Sequence, residues 1–197
     1  MSVLLGGVVM HKIQHQLHTD HYHLQRLLNC LSHEIGCYDF DSKQVPDLDI
    51  ILSALDYLRT YPDKWHHPSE DIIFNRLLNR KVKVSKLIKQ LQIEHEKIIL
   101  ETKKINELFN SVADDCIVSA DELLTGAKKF IELQKQHLNK ENEFIYPLMN
   151  TEFSEKDWRE IEKEIKLQDD PLFSNRSKKE FDQLYRYILD MEESRST

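Results

Sequence analysis

Apolar residues recur every three or four positions along most of the chain, which is the spacing of one face of an α-helix. This spacing predicts four long amphipathic helices, over residues 10–35, 47–80, 82–110 and 120–149. Polar stretches such as CYDFDSKQVP separate them, and β-branched residues form no alternating runs that would indicate strands. The pattern predicts an all-α fold, an antiparallel up-down four-helix bundle with short C-terminal helices.

Two prolines interrupt the second predicted helix. Pro62 and Pro68 each remove a backbone hydrogen-bond donor, and a proline ring clashes with the preceding helical turn. The apolar rhythm nevertheless continues beyond them as far as Leu77. We therefore predict one helix that is kinked near Tyr61 rather than two separate helices.

The predicted helices divide the chain into three parts. Residues 1–9 form a poorly defined N-terminal extension, residues 10–150 form the bundle, and residues 151–197 form a C-terminal helical extension. Ser154 is a suitable N-cap for the first helix of this extension. The last helix has an apolar face that packs on the bundle or forms a dimer surface, made of Phe181, Leu184 and Ile188.

Composition narrows the class of protein. The formal net charge of −7 predicts no binding to nucleic acid, because no basic stripe would attract phosphates. The apolar stretch SVLLGGVV is too short to span a bilayer, so we expect no membrane segment. The three cysteines form no Cys-x-x-Cys pair and no even-numbered disulfide framework. We therefore predict a cytoplasmic protein in a reducing compartment.

Histidines stand out because one lies in the apolar stripe of each long predicted helix. These four are His21, His66, His95 and His137. The second and fourth helices add a glutamate one turn after the histidine, Glu70 and Glu141, and residues four apart share a helix face. Six polar groups therefore converge on one predicted bundle interior.

A single buried imidazole is usually a hydrogen-bonded core residue, and one His-x-x-x-Glu pair can be an internal ion pair or an exposed pair. The full set is different, because each unpaired ionised group would cost several kcal/mol to bury. One bound metal centre satisfies all six groups at once. Imidazole nitrogens and carboxylate oxygens together suit iron, manganese or zinc.

Four segments resemble the metal-binding helices of the hemerythrin-like, HHE cation-binding family: HTDHYHLQRLL, HHPSEDIIFNRLL, IEHEKI and HLNKENEFIYPLM. The resemblance covers residues 10 to about 150. It implies a four-helix bundle around a non-haem di-iron site, with two iron ions per chain joined by an oxo or hydroxo bridge. It also implies a ligand set in which His21 and His66 bind one iron, His95 and His137 bind the other, and Glu70 and Glu141 bridge both.

One position departs from the oxygen-carrying hemerythrins, which have a second histidine one turn from the third-helix ligand. Here the positions four residues from His95 are Ile99 and Leu91. The resulting set of four histidines and two glutamates resembles the hemerythrin-like proteins linked to nitric oxide, iron–sulfur cluster repair or iron sensing. Simple oxygen transport is therefore not the expected role.

The expected function is binding or sensing of a small diatomic ligand, O₂ or NO, or buffering of iron. Two histidines and two shared carboxylates leave open positions in a six-coordinate shell for such a ligand. The alternative is an enzyme, a di-iron oxidoreductase acting on peroxide or NO, or an iron donor in cluster repair. A third possibility is a metal-free helical interaction protein. We expect a monomer or homodimer.

Several residues near the predicted ligands receive simpler interpretations. His67 points about 100° away from His66 on a helix, so we expect it to support the site from outside or lie at the surface. Asp20 and Glu94 each adjoin a ligand histidine, and we favour surface exposure for both. We assign packing roles to the aromatic residues Tyr22, Trp65 and Tyr146.

Overall fold

A computed structural model describes residues 3–5, 8–38, 42, 44–174 and 179–196. The helices of the bundle are α1 (Lys12–Gly36), α2 (Leu48–Thr60), α3 (His67–Asn79), α4 (Ser85–Ala113), α5 (Ala120–Lys140) and α6 (Tyr146–Glu152). A first π-helical turn, Pro62–His66, joins α2 to α3, and a second, Glu141–Ile145, joins α5 to α6. Each of these joined pairs forms one long rod.

Two short strands precede the bundle and two helices follow it. Strands β1 (Val3–Leu5) and β2 (Val8–Met10) pair antiparallel, with Val3 opposite Met10. After the bundle come α7 (Glu155–Glu164), a 3₁₀ turn (Lys179–Phe181) and α8 (Asp182–Ser196). None of the helices in the described part of the chain is long and apolar enough to cross a membrane.

The two joined rods and the single helices α1 and α4 are the four rods of the bundle. In it, α4 contacts α2, α3 and α5, and α1 contacts α5 and α2. This confirms the predicted all-α fold, and the ends of the four predicted helices agree with the observed ends to within three residues. Side-chain caps start several helices. Asp47 Oδ1 accepts a hydrogen bond from the Ile50 amide at 3.1 Å, and Ser154 forms the predicted cap together with Asp157.

The first π-helical turn is the predicted kink near Tyr61, and the second was not predicted. A π-helical turn holds one residue more than an α-helical turn, so it rotates all later side chains. Uninterrupted α-helical spacing across the fourth predicted helix, residues 120–149, predicts that Phe144 lies in its apolar stripe. It is 43% exposed, whereas Ile145 and Tyr146 are fully buried, so that expectation is wrong. The extra residue of the second π-helical turn shifts the buried face by one position in the sequence, from Phe144 to Ile145.

The core consists of two apolar clusters separated by a polar layer. One cluster is built from the second half of α1, α2, the second half of α4, α5 and α8, and it includes Leu24, Leu55, Phe109, Phe130 and Leu184. The other is built from the start of α1, α3, the first half of α4, α6 and α7, and it includes Leu17, Phe74, Leu91, Met149 and Trp158. Along their own rods, the six predicted ligands lie where one cluster gives way to the other.

The C-terminal helix lies against the bundle of its own chain. Phe181, Leu184 and Ile188 are buried in the first apolar cluster, and α8 contacts α1 and α2. Polar contacts add to this packing. Arg26 forms a two-pronged ion pair with Glu192 at 2.7 and 2.8 Å, and the Tyr187 hydroxyl donates to Glu34.

Candidate metal centre

The structure brings all six predicted site residues together in the polar layer, and all six are buried. Glu70 reaches three imidazoles, since its oxygens lie 3.3 Å from His21 Nε2, 3.4 Å from His66 Nε2 and 3.4 Å from His95 Nε2. Glu141 likewise lies 3.4 Å from His21 Nε2, 3.2 Å from His95 Nε2 and 3.0 Å from His137 Nε2. Each carboxylate therefore lies between two pairs of imidazoles.

The imidazole pairs are close enough to share an ion within each pair. The ring centroids of His21 and His66 are 5.0 Å apart, and those of His95 and His137 are 4.7 Å apart. Donor atoms that lie within 4.8 Å of one another define two groups around these pairs. One contains His21, His66 and Glu70, and the other contains Glu70, His95, His137 and Glu141.

The four site histidines share one orientation, in which Nε2 faces the carboxylates and Nδ1 faces an oxygen on a neighbouring helix. The Nδ1 partners are Asn142 for His21 (3.0 Å), Asp20 for His66 (3.1 Å), Asp71 for His95 (3.0 Å) and Glu94 for His137 (3.2 Å). An acceptor on Nδ1 holds the proton there and leaves the Nε2 lone pair free for a metal. The outer contacts thus prepare the rings for ligation.

These outer partners correct two expectations. Asp20 and Glu94 are not surface residues, because Asp20 is buried and Glu94 is largely covered. The Tyr61 hydroxyl also donates to Asp20 at 3.2 Å. Hydrogen bonds from His137 and Lys140 outweigh burial and hold the pKa of Glu94 at about 2, so this carboxylate stays charged. Each carboxylate orients a histidine of the next helix rather than its own neighbour in sequence.

Four buried nitrogen and oxygen atoms of the site have no hydrogen-bond partner among the described residues. They are His66 Nε2, Glu70 Oε2, His137 Nε2 and Glu141 Oε2. His137 Nε2 is 3.0 Å from Glu141 Oε1, but its orientation does not suit a hydrogen bond. Leaving a buried polar atom unpaired costs about 1–3 kcal/mol. A cation among these nitrogens and oxygens would satisfy all four, so the residues present fit a bound metal.

Three imidazoles of the metal-free site hold their protons more tightly than usual. Burial lowers the pKa of His21, but hydrogen bonds and charges from Glu141 and Glu70 outweigh it and raise this pKa to about 10. Burial also lowers the pKa of His95, yet Asp71, Glu141 and Glu70 raise it to about 12. The pKa of His137 is raised as well, against its burial, chiefly by Glu141. A metal must therefore displace protons from these imidazoles.

The two carboxylates behave in the opposite way. Burial raises the pKa of Glu70 and Glu141, but the surrounding imidazoles outweigh it, so that both pKa values lie well below the usual range. Both groups are therefore anionic when a cation arrives. Buried carboxylates in this state are strong ligands for a divalent or trivalent ion.

His67 lies inside the layer rather than at the surface. Its ring is 4.6 Å from that of His95 and 5.8 Å from that of His137, and the three share a donor group within 4.8 Å. Burial and the charges of the neighbouring histidines hold the pKa of His67 well below 6.5, so the ring is neutral. Leu91 is part of an apolar cluster and Ile99 is 40% exposed, so the third imidazole on this side comes from α3.

Tyr146 also belongs to the site, which the sequence interpretation missed. Its hydroxyl lies 2.8 Å from His21 Nε2 and donates to Glu70 Oε1 at 2.7 Å. Burial and the charges of Glu70 and Glu141 raise the pKa of the phenol well above its usual value of 10. The other two aromatic residues expected to pack are not buried, since Tyr22 is 64% exposed and Trp65 is 46% exposed.

A helical bundle with imidazoles and carboxylates gathered at mid-length defines a class of protein, the metal-binding four-helix bundles. The sequence model of one protein family, the hemerythrin HHE cation-binding domain, matches residues 12–149, about 70% of the chain. The chain therefore belongs to the hemerythrin HHE cation-binding family, and its His/Glu groups are able to hold a metal ion. A comparison with curated proteins found no match.

Proposed function

We propose that the protein is a non-haem di-iron protein that binds or senses a small diatomic ligand, O₂ or NO, or buffers iron. One observation carries this proposal. Six buried donors form two imidazole pairs that share two carboxylates, and four of the donor atoms have no other partner among the described residues. Neither hydrogen bonding nor packing accounts for that arrangement as well as a pair of ions does.

The contacts support a specific division of the ligands. His21 and His66 would hold one ion, and His95 and His137 would hold the other. Glu70 and Glu141 would bridge, because each carboxylate already contacts imidazoles of both pairs. Bound iron would supply an open coordination position and a reversible change of oxidation state. Manganese and zinc accept the same donors, so the choice of iron rests on family membership.

The chain's own residues contribute orientation and exclusion of water. Asp20, Asp71 and Glu94 accept the Nδ1 protons, which keeps three of the imidazole rings turned toward the carboxylates. The apolar clusters on either side cover the layer, so a bound gas would be shielded from bulk solvent. Exclusion of water would limit side reactions of a ligand bound there.

An enzyme is the second candidate, and the Tyr146 hydroxyl favours it. Reduction of peroxide or NO consumes protons, and this buried hydroxyl contacts two site residues. Such a protein would be a di-iron oxidoreductase rather than a carrier or sensor. An iron donor in iron–sulfur cluster repair would use the same ligands but would give up its iron to an acceptor protein.

Stopped-flow spectra of the reduced, iron-loaded protein distinguish these functions. Mixing with O₂ or NO is expected to give an adduct that releases the gas unchanged under vacuum or inert gas flow. Sustained consumption of NO or peroxide with an electron donor supports the enzyme instead. Glu96→Gln, an exposed change on α4, serves as the matched control. Iron-loaded protein that neither binds nor consumes these molecules would contradict both ligand-binding and enzymatic functions.

A further inference from the structure

The phenol oxygen of Tyr146 lies among the donor atoms on the His21 side of the site. It is 2.8 Å from His21 Nε2 and 2.7 Å from Glu70 Oε1, and those two atoms are 3.3 Å apart. The three atoms therefore form a compact triangle. All three residues are buried, so no solvent competes for these positions.

The size of this triangle matches the spacing of ligands around one ion. Nitrogen and oxygen ligands lie about 2.0–2.2 Å from a first-row metal ion, and ligands at right angles are therefore about 3 Å apart. Sides of 2.7, 2.8 and 3.3 Å are close to that spacing. An ion bound to His21 and Glu70 would thus have the phenol oxygen at ligand distance.

The Tyr146 ring is held in place from several sides. It stacks on the His21 ring with centroids 4.6 Å apart and forms a T-shaped contact with the His18 ring, also at 4.6 Å. Gln14 donates a hydrogen bond to the Tyr146 carbonyl at 3.3 Å. When His21 Nε2 gives its lone pair to a metal, the phenol oxygen loses that hydrogen bond and cannot swing out to water. Coordination removes the resulting cost of about 1–3 kcal/mol.

We propose that Tyr146 is a fifth protein ligand of the ion held by His21 and His66, bound as a phenolate when that ion is Fe(III). The oxygen–metal bond replaces the O–H bond, and the proton leaves to solvent. This inference rests on the proposed di-iron function. It makes the two ions unequal, because the neighbour on the other side of the site is His67, an imidazole.

The amide of Asn142 supports the same asymmetry. Three of the four site histidines have a carboxylate on Nδ1, but His21 has the Asn142 oxygen, which is uncharged. A carboxylate on Nδ1 makes an imidazole a stronger ligand, so His21 is the weakest of the four. An anionic phenolate at the same ion would offset this difference.

Absorption and resonance Raman spectra of the oxidised, iron-loaded protein test this assignment. The unmodified protein is expected to show a visible phenolate-to-iron charge-transfer band, and excitation in that band enhances phenolate ring vibrations. Tyr146→Phe should lose both signals completely while its iron content stays at two ions per chain. Tyr22→Phe changes an exposed tyrosine of α1 and should leave both signals unchanged.

Iron content and helicity are measured on the same samples, which separates two kinds of failure. Two ions per chain without phenolate vibrations, or a band that persists in Tyr146→Phe, would overturn the ligand assignment and leave the di-iron function intact. An unmodified protein that binds no iron would overturn both. If Tyr146→Phe does not load iron, ring-deuterated tyrosine in the unmodified protein decides the question, because vibrations that do not shift are not from a tyrosinate.

Discussion

The four residues that orient the site histidines follow one rule. Each is the sequence neighbour of a site residue, and each contacts the histidine of the next helix around the bundle. Asp20 of α1 contacts His66, Asp71 of α3 contacts His95, Glu94 of α4 contacts His137, and Asn142 after α5 contacts His21. A step of one residue turns a side chain by about 100°, from the interior toward an adjacent helix. The four contacts close a ring around the site.

Glu94→Gln tests this ring at a single residue. The amide can still face His137 Nδ1, but it has no charge, so we expect iron affinity to fall about 10- to 100-fold with the helical fold retained. Competition with a chelator measures the affinity. The control is Glu96→Gln, an exposed change two residues away on the same helix, which should bind iron like the unmodified protein. Equal affinity in both variants would show that the outer contact does not tune the site.

The protonation of the site predicts how pH acts on stability. In the metal-free protein the pKa of His21 is raised from 6.5 to about 10, so its contribution to folding is complete below pH 6.5 and is lost as pH rises through 10. The depressed pKa of Glu70 contributes in the opposite sense, above 4.5, and that contribution is lost on acidification. The site should therefore stabilise the metal-free protein most between the unfolded-state pKa values of the two groups, 4.5 for Glu70 and 6.5 for His21.

The stabilisation that bound iron provides is expected to increase as pH rises, because binding must release the protons of His21, His95 and His137. The difference in Tm between loaded and metal-free protein should therefore grow from about pH 6 to about pH 8. Anaerobic thermal unfolding at several pH values measures it. A difference in Tm that does not change with pH would contradict these protonation states.

At the scale of elements, each π-helical turn adjoins one His/Glu pair. The first ends at His66 and the second begins at Glu141. The extra residue allows both halves of a rod to keep their apolar faces inward while the ligand pair faces the centre. Pro62 marks the first turn in the sequence. The second has no such marker within it, since its proline follows at position 147, and the register of Phe144 was therefore predicted wrongly.

Deletion of Lys64 tests the need for the first turn. The change removes an exposed residue but rotates α2 by about 100° relative to His66 and Glu70. Because either the α2 core or the ligand pair must then be misplaced, we expect a loss of at least about 3 kcal/mol in unfolding free energy, together with loss of iron. Lys64→Ala keeps the length and should stay within about 0.5 kcal/mol of the unmodified protein. Urea unfolding and metal analysis check both variants, and an iron-loaded, stable deletion would contradict the role of the turn.

At the scale of the whole molecule, helical periodicity alone predicted the bundle and the six residues that meet in it. This succeeded because a histidine between apolar neighbours on the same helix face must point into the core. The contacts of Asp20, Glu94 and Tyr146 could not be predicted in the same way, because they join different helices. They depend on the rotation of each helix about its own axis, which periodicity within one helix does not give.

The C-terminal helix α8 contributes to the core of the bundle, because its residue Leu184 is fully buried in the first apolar cluster. Leu184→Ala should therefore lower the unfolding free energy by about 2–5 kcal/mol, as for other fully buried leucines. Ile117→Ala changes an exposed side chain and should have little effect. Urea unfolding gives the energies. Unchanged stability with a smaller particle in size-exclusion chromatography would indicate that α8 joins two copies instead.

Metal analysis after anaerobic reconstitution with iron tests the central claim most directly. The unmodified protein is expected to retain two iron ions per chain after removal of excess metal, as is the control Glu143→Gln, an exposed change in the second π-helical turn. Glu70→Gln combined with Glu141→Gln should retain less than one, because both shared ligands are gone. Protein that binds no iron, or that holds stoichiometric zinc and excludes iron, would contradict a carboxylate-bridged di-iron centre.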